Sequence, residues 1–167
     1  SGGEPLLQAD FACELFRRCG ELDLHRALDT CGHVTWECFE QVLPQVDLVL
    51  YDLKLVDSTR HKEYTGIGNE LIIENLQKLA AQSVNVEIRI PVVPGINDDE
   101  NIEATAALVG SLSRPIKVRL LRYHRLAGSK YKRLGLPDTM PVVESPSDAR
   151  MQELAGRIES DGVDVLL

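Results

Sequence analysis

The sequence predicts an α/β fold, a parallel sheet wrapped by helices, in a single domain spanning 1–167. Three observations carry that expectation. Short apolar, β-branched runs alternate with amphipathic segments in the order β-α-β-α-β-α-β. No internal repeat or low-complexity linker interrupts the 167 residues, enough for one core. The strongest strand, VDLVLYDLK (46–54), is apolar until its end, the pattern of a buried strand in a parallel sheet. A closed eightfold barrel takes about 250 residues. The candidates are therefore an open or partial barrel and a doubly wound sheet.

The elements follow in order. Gln8–Cys19 reads as an amphipathic helix, with Phe11, Leu15 and Cys19 at helical spacing. LHRALDTCG (24–32) is a short strand ending in a glycine turn. TWECFEQVLP (35–44) is a helix that Pro44 stops. After the strand at 46–54, STRHKEYTG (58–66) is a short helix or turn. Asn69 caps the next helix, whose inner stripe is Ile72, Leu76 and Leu79. VNVEIRIPVVPG (84–95) alternates as a strand and breaks at Pro91. Asp98 and Asp99 suit a helix N-terminus, and Ile102, Ala106, Val109 and Leu112 share one face of that helix. PIKVRLLRYH (115–124) is the next strand. The remainder, 125–167, is a polar extension punctuated by glycine and proline, then a helix from Pro146–Ser147 to about Ser160, then the short strand VDVLL.

A net charge of −8 and a pI near 5.0 argue against nucleic acid or an anionic membrane as partner. No apolar run reaches membrane-spanning length, and no signal peptide opens the chain. Cys13, Cys19, Cys31 and Cys38 include no C-x-x-C pair. Reduced thiols are expected, and a structural zinc site is not.

In parallel α/β folds chemistry gathers at the carboxyl ends of the strands. Those ends carry Asp29-Thr30, Asp52-Leu53-Lys54, Arg89 and Tyr123-His124, and Gly2-Gly3-Glu4 resembles a turn that follows a strand. Burying Asp52 or Lys54 unpaired would cost on the order of several kcal/mol. Residues two apart in a strand share a face, so Asp52 and Lys54 are expected to point the same way. Such a cleft suits a zwitterionic ligand. A salt-bridge network at a solvated barrel mouth is the alternative.

The segments SGGEPLLQ, LDTCG, DLVLYDLK, EIRIPVVPGIND and YHRLAGSKYKRLG come in the order seen in the activating enzymes of glycyl radical enzymes. The chain resembles that family, the pyruvate formate-lyase-activating group of the radical SAM superfamily, over nearly its whole length. The resemblance implies a partial (β/α)6 barrel, truncated at its N-terminus. It implies that Gly2, Gly3 and Glu4 bind the amino group of S-adenosylmethionine. Asp29 and Lys54 would hold its ribose and carboxylate end, with Asp52 and Leu53 in the same D-L-K segment, and His124 would lie beside the adenosine. Asp29, Thr30 and Asp52 resemble a monovalent-cation site. Arg89 and Tyr123 would face the glycyl loop of the partner. The implied cofactors are S-adenosylmethionine and a four-iron–four-sulfur cluster. The implied reaction cleaves S-adenosylmethionine reductively and abstracts a glycine hydrogen from the partner. The implied partners are a glycyl radical enzyme and an electron donor such as flavodoxin or ferredoxin, in the cytoplasm. The DTCG and YDLKLVDSTRHKEYTG segments look closer to activators of dehydratases or decarboxylases.

The chain departs from that pattern in one large respect. The family's cluster is held by C-x-x-x-C-x-x-C, N-terminal to GGE, and no cysteine pair here has either spacing. The expectation is a fragment lacking the cluster-binding region, inactive alone, and self-associating through the open edge of the strand at 24–30. Arg122 replaces a frequent proline, and Ala127 is an insertion. Trp36 is expected to anchor its helix, and His25, His33 and His61 to lie at surface or loop positions. A radical SAM enzyme with another substrate, or a non-catalytic binding domain on the same scaffold, are the alternatives.

Overall fold

Alternating burial marks the strands. In β2 (Leu48–Asp52), Val49 and Tyr51 are buried while Leu48, Leu50 and Asp52 are half-exposed, so the apolar run is covered on one face and not on both. The same alternation holds in β1 (Ala27–Thr30) and β3 (Asn85–Val92), and along the first residues of β4 (Lys117–Arg122). With the short β5 (Val165–Leu166) these form one parallel sheet in the order β1-β2-β3-β4-β5. The computed structural model describes residues 3–124, 135 and 141–167.

Strand order equals chain order, and right-handed crossovers then place successive helices on one side. The core lies there, built on Leu28, Val49, Tyr51, Ile88, Ile90 and Leu120. The opposite face carries Asp29, Asp52, Glu87, Arg89 and Arg119. A doubly wound sheet reverses its strand order and covers both faces. This sheet does neither, which makes it the wall of a partial barrel with a charged lumen. Arg119 pairs with Glu87 at 2.6 Å across that face.

The helices are α1 (Ala9–Glu21), α2 (Trp36–Val42), α3 (Ser58–Thr65), α4 (Glu70–Ala80), α5 (Glu100–Gly110) and α6 (Asp148–Glu159). A 3-10 turn, Pro5–Gln8, precedes α1. Another, Leu43–Gln45, absorbs Pro44 after α2. In α1 the helically spaced Phe11 and Leu15 face out: Phe11 is 66% and Leu15 48% exposed. The buried face is instead Ala12, with Ala9, Cys13 and Phe16 packed alongside. The helix has two apolar stripes, and only one meets the sheet.

Three further expectations are corrected. Pro91 does not break β3, since it pairs with Leu121 of β4. Its missing N–H falls on the β2 side, the side to which Arg89 presents its carbonyl to Leu53 N, and β2 has ended there. Asn69 is the N-cap of α4, but its side chain donates to Leu55 and Val56 carbonyls and caps no helical N–H. His61 is buried on α3, with Nδ1 2.8 Å from the Ile67 carbonyl oxygen and 3.0 Å from Thr65 Oγ1. The expected extension at 125–146 lies mostly outside the described residues. Trp36 does anchor α2, half-buried against the core and stacked on Phe39 of the same helix at 5.5 Å. The four cysteines are free.

Arg26 and Asp47 lock the starts of β1 and β2 together. Asp47 accepts from Arg26 N at 2.8 Å, Nε at 2.9 Å and Nη2 at 2.7 Å. The Arg26 side chain, then its backbone N–H, hold the Asp47 carboxyl down from 3.8 to about 2. A depressed carboxylate stabilises the fold above its unfolded value and loses that contribution as pH falls through its folded value. Between about pH 4 and 2 the urea midpoint of the wild type should therefore fall further than that of Asp47→Asn, so the gap between them closes. Parallel midpoint curves would show that the pair contributes nothing to folding.

Candidate functional site

The carboxyl ends of β1 and β2 meet the middle of β3 at one corner of the open face: Arg89, expected at a strand end, is level with Asp52 while β3 runs on to Val92. Glu4 organises the end of β1. Its Oε1 accepts from Thr30 Oγ1 at 2.8 Å and from Leu6 N at 3.1 Å, and its Oε2 from Cys31 N at 2.9 Å. The Gly3–Glu4 turn is thereby pinned to the end of β1. A carboxylate has about four acceptor sites, so Glu4 retains room for one more donor. Gly3 beside it is exposed, with open space around it. Gly2 lies outside the described residues.

The turn after β1 depends on two neighbours. Gly32 adopts φ +73°, and a Cβ there would lie 1.8 Å from the Tyr51 hydroxyl. That hydroxyl donates to the Ile72 carbonyl at 2.6 Å, and burial pushes the phenol's pKa up. Asn75, fully buried on α4, donates to the carbonyls of Gly32 and Val34 at 2.9 and 2.8 Å. Burial likewise pushes the Cys31 thiol up, which argues against a reactive thiolate.

Arg89 joins three strands. Its Nε and Nη2 donate to Asp52 Oδ1 at 3.0 and 2.8 Å, and Nη2 also donates to Asp29 Oδ1. Asp52 and Arg89 are register partners, so their contact is a direct cross-strand pair. Asp29 is one strand further, and the arginine side chain reaches across β2 to it. Burial pushes the Asp52 carboxyl up, while the Arg89 charge and hydrogen bonds pull against it. Asp29 is 61% exposed and turns its free edge to solvent.

The segment after β2 is held by buried amides. Asn97 donates to the carbonyls of Lys54 and Pro91 at 2.9 and 2.7 Å and accepts from Val93 N at 2.7 Å. Asn101 accepts from Val56 N at 2.8 Å. Asn69 donates to the Leu55 and Val56 carbonyls at 2.7 and 2.8 Å. Three asparagines, at the N-cap of α4, in α5 and in the loop before α5, thus fix the backbone from Lys54 to Val56. β2 ends at Asp52, but burial goes on alternating beyond it: Leu53 and Leu55 are buried while Asp52 and Lys54 are half-exposed. The positive charge of Lys54 is felt by both Cys31 and Asp52.

The structure brings Asp29, Asp52 and Arg89 into contact on the open face, with Lys54 just beyond, while Thr30 bonds Glu4, beside Gly3, from the helix face. Leu53 is buried, and only its backbone reaches the corner, with its N–H donating to the Arg89 carbonyl at 3.0 Å. Tyr123, expected to face a partner, is in the core, and its hydroxyl donates to Pro141 at 2.8 Å. His124 is exposed at the end of β4, with Nδ1 3.3 Å from Ser145 Oγ. Sequence reasoning missed Asn75, Asn97 and Asn101. A groove of about 650 Å³ runs from Glu4 and Asp29 along the outer edge of β1, floored by Leu28 and walled by Phe11, Leu15 and Phe16.

Comparison with known proteins places this geometry. The family model of the radical SAM superfamily matches residues 1–109. The (2S)-3-sulfopropanediol dehydratase activating enzyme of Klebsiella oxytoca is 42% identical over 147 residues, covering 86% of this chain and 46% of that protein. The indoleacetate decarboxylase activating enzyme of Tractidigestivibacter scatoligenes is 37% identical over 100% of this chain and 53% of its own length. A solved domain of pyruvate-formate lyase-activating enzyme from Bacteroides vulgatus superimposes with a TM-score of 0.82 at 34% identity, covering 99% of this chain and 94% of that one. The chain spans about half the length of the curated relatives it matches. A family model matched over most of the chain, and a solved relative matched almost end to end, show that this protein belongs to the radical SAM superfamily.

Proposed function

We propose that this chain is the S-adenosylmethionine-binding part of an activating enzyme that installs a glycyl radical on a dehydratase- or decarboxylase-type partner. The observation that carries it is the gathering of Glu4, Asp29, Asp52 and Arg89 around the carboxyl ends of β1 and β2, with Lys54 just beyond β2. The names of the relatives support the class of partner.

The corner fits a zwitterion. The spare acceptor of Glu4 and the exposed backbone of Gly3 suit an ammonium, Lys54 suits a carboxylate, and Asp29 suits ribose hydroxyls. His124 would flank the adenine end. When bound, S-adenosylmethionine supplies the radical chemistry, and this chain's residues bind and orient it. The residues present do not fit the iron–sulfur cluster. Among the described residues no group of three or more His, Cys, Asp or Glu could hold a metal. The chain alone is expected to be inactive in radical generation, and 5′-deoxyadenosine made by it alone would overturn that. Electrons would come from a flavodoxin or ferredoxin in the cytoplasm. No helix among the described residues is long and apolar enough to cross a membrane.

Amide chemical shifts test the binding reading, because they report even weak occupancy. Added S-adenosylmethionine should move Gly3–Glu4, Asp29–Gly32, Asp52–Lys54 and His124, and Lys54→Ala should abolish the shifts. Shifts confined to another surface would sink it. The open edge of β1 should also recruit a second copy of the chain, and light scattering that gives a monomer at all concentrations would count against that.

A further inference from the structure

The residues at the expected monovalent-cation site do not fit a resident metal ion. Asp29 and Thr30 are consecutive in β1, so their side chains point to opposite faces. Thr30 is 2% exposed on the helix side, where its hydroxyl donates to Glu4 and accepts from Gly32 N at 3.0 Å. The lumen is left with the carboxylates of Asp29 and Asp52, and a cation already stands between them, the guanidinium of Arg89.

We infer that Arg89 is the built-in counter-ion of the Asp29–Asp52 pair, and that sodium or potassium takes this place only when the guanidinium is removed. Three features support this. Arg89 is anchored by strand pairing on both sides, opposite Asp52 of β2 and Arg119 of β4, so it is delivered to the pair as part of the sheet. A tethered ion acts at an effective concentration that a dissolved monovalent ion has to outcompete. A guanidinium is also more weakly hydrated than a compact ammonium, stays charged, and presents several donors in a plane that can serve two carboxylates together. Sodium or potassium would have to displace it and restore every one of those contacts. Arg89 is then a positioning residue that holds two acidic groups of the cofactor corner in register across three strands.

The inference concerns the site proposed above. Its test contains no S-adenosylmethionine, so failure here is distinct from failure of the binding reading. Thermal midpoints are measured in sodium, potassium and choline chloride at equal ionic strength for wild type, Arg89→Lys and Arg89→Gln. Wild type and Arg89→Lys should melt alike in all three salts. Arg89→Gln should melt lower in choline and regain about 3 °C in sodium or potassium, saturably. A saturable rise of the wild type in sodium or potassium over choline overturns the inference, as does an Arg89→Gln chain that responds equally to all three. If Arg89→Gln does not fold in any salt, the wild type decides: coincident curves support the inference and an ion-specific rise ends it.

Discussion

Replacing Gly32 by Ala should destabilise the chain by about 3–5 kcal/mol, a large share of the roughly 5–15 kcal/mol that holds a domain folded. Two costs add. The backbone at φ +73° lies in the left-handed region, which costs a residue with a Cβ on the order of 1 kcal/mol. The larger cost is steric. The new methyl would lie 1.8 Å from the Tyr51 hydroxyl oxygen and 2.3 Å from the ring carbon that carries it. Tyr51 cannot retreat, because its ring is fully buried near Phe39 and its hydroxyl is tied to Ile72. A double-mutant cycle separates the terms. On a Tyr51→Ala background, itself costly for the cavity it leaves, Gly32→Ala should add only about 1 kcal/mol of backbone strain. An equal penalty on both backgrounds would show that the phenol is not the obstacle. The effect reaches the site, because a displaced turn withdraws the Cys31 N–H from Glu4.

Asn97→Ala should cost about 3–4 kcal/mol, although the residue lies in a loop. It strands the Pro91 carbonyl and the Val93 N–H and leaves the Lys54 carbonyl only the long 3.4 Å bond from Asn101, and an unpaired buried polar group costs roughly 1–3 kcal/mol, less where water enters the gap. Asn97→Asp is the sharper test, because it keeps the shape and the acceptor but loses both donors and sets a carboxylate against two carbonyl oxygens. The protonated acid can donate once. The introduced group's folded pKa is therefore raised, and the variant should gain stability as pH falls through that value, opposite to the Asp47 trend. Chemical denaturation between pH 4 and 8 reads the sign directly. A pH-independent deficit for Asn97→Asp relative to wild type would mean that the amide's donors do not matter.

The contrast between these residues shows what sequence could reveal. The strands were legible because their side chains alternate with a short period, and the charged residues at their ends stood out against apolar runs. Asp29, Asp52 and Arg89 were found that way, and pleat parity puts all three on the lumen face. The asparagines were not legible. Asn97 reaches back 43 residues to Lys54, and Asn75 reaches back the same distance to Gly32. No local period encodes such bonds, and an asparagine near a helix start reads first as a cap, as Asn69 did. In α1 the failure was different. Two apolar stripes compete on one helix, and only the placement of β1 and α2 decides which is buried. Thr30 and Asp29 are neighbours in sequence yet serve opposite faces, so the hydroxyl of one and the carboxylate of the other take different partners.

The agreement of strand order with chain order bears on how the molecule is made. Ala27 pairs with Leu48, Leu48 with Asn85, Glu87 with Lys117, and Val118 with Val165. Each strand therefore docks onto the one synthesised just before it, and none waits for a distant partner. A nascent chain can grow its sheet in one direction, covering each apolar helix as it leaves the ribosome, and keeps loop closure short at every step. The finished molecule should open in the reverse order. β5, two residues long and paired on one side, is the first strand to fray, and native-state hydrogen exchange should fall off from that edge inward.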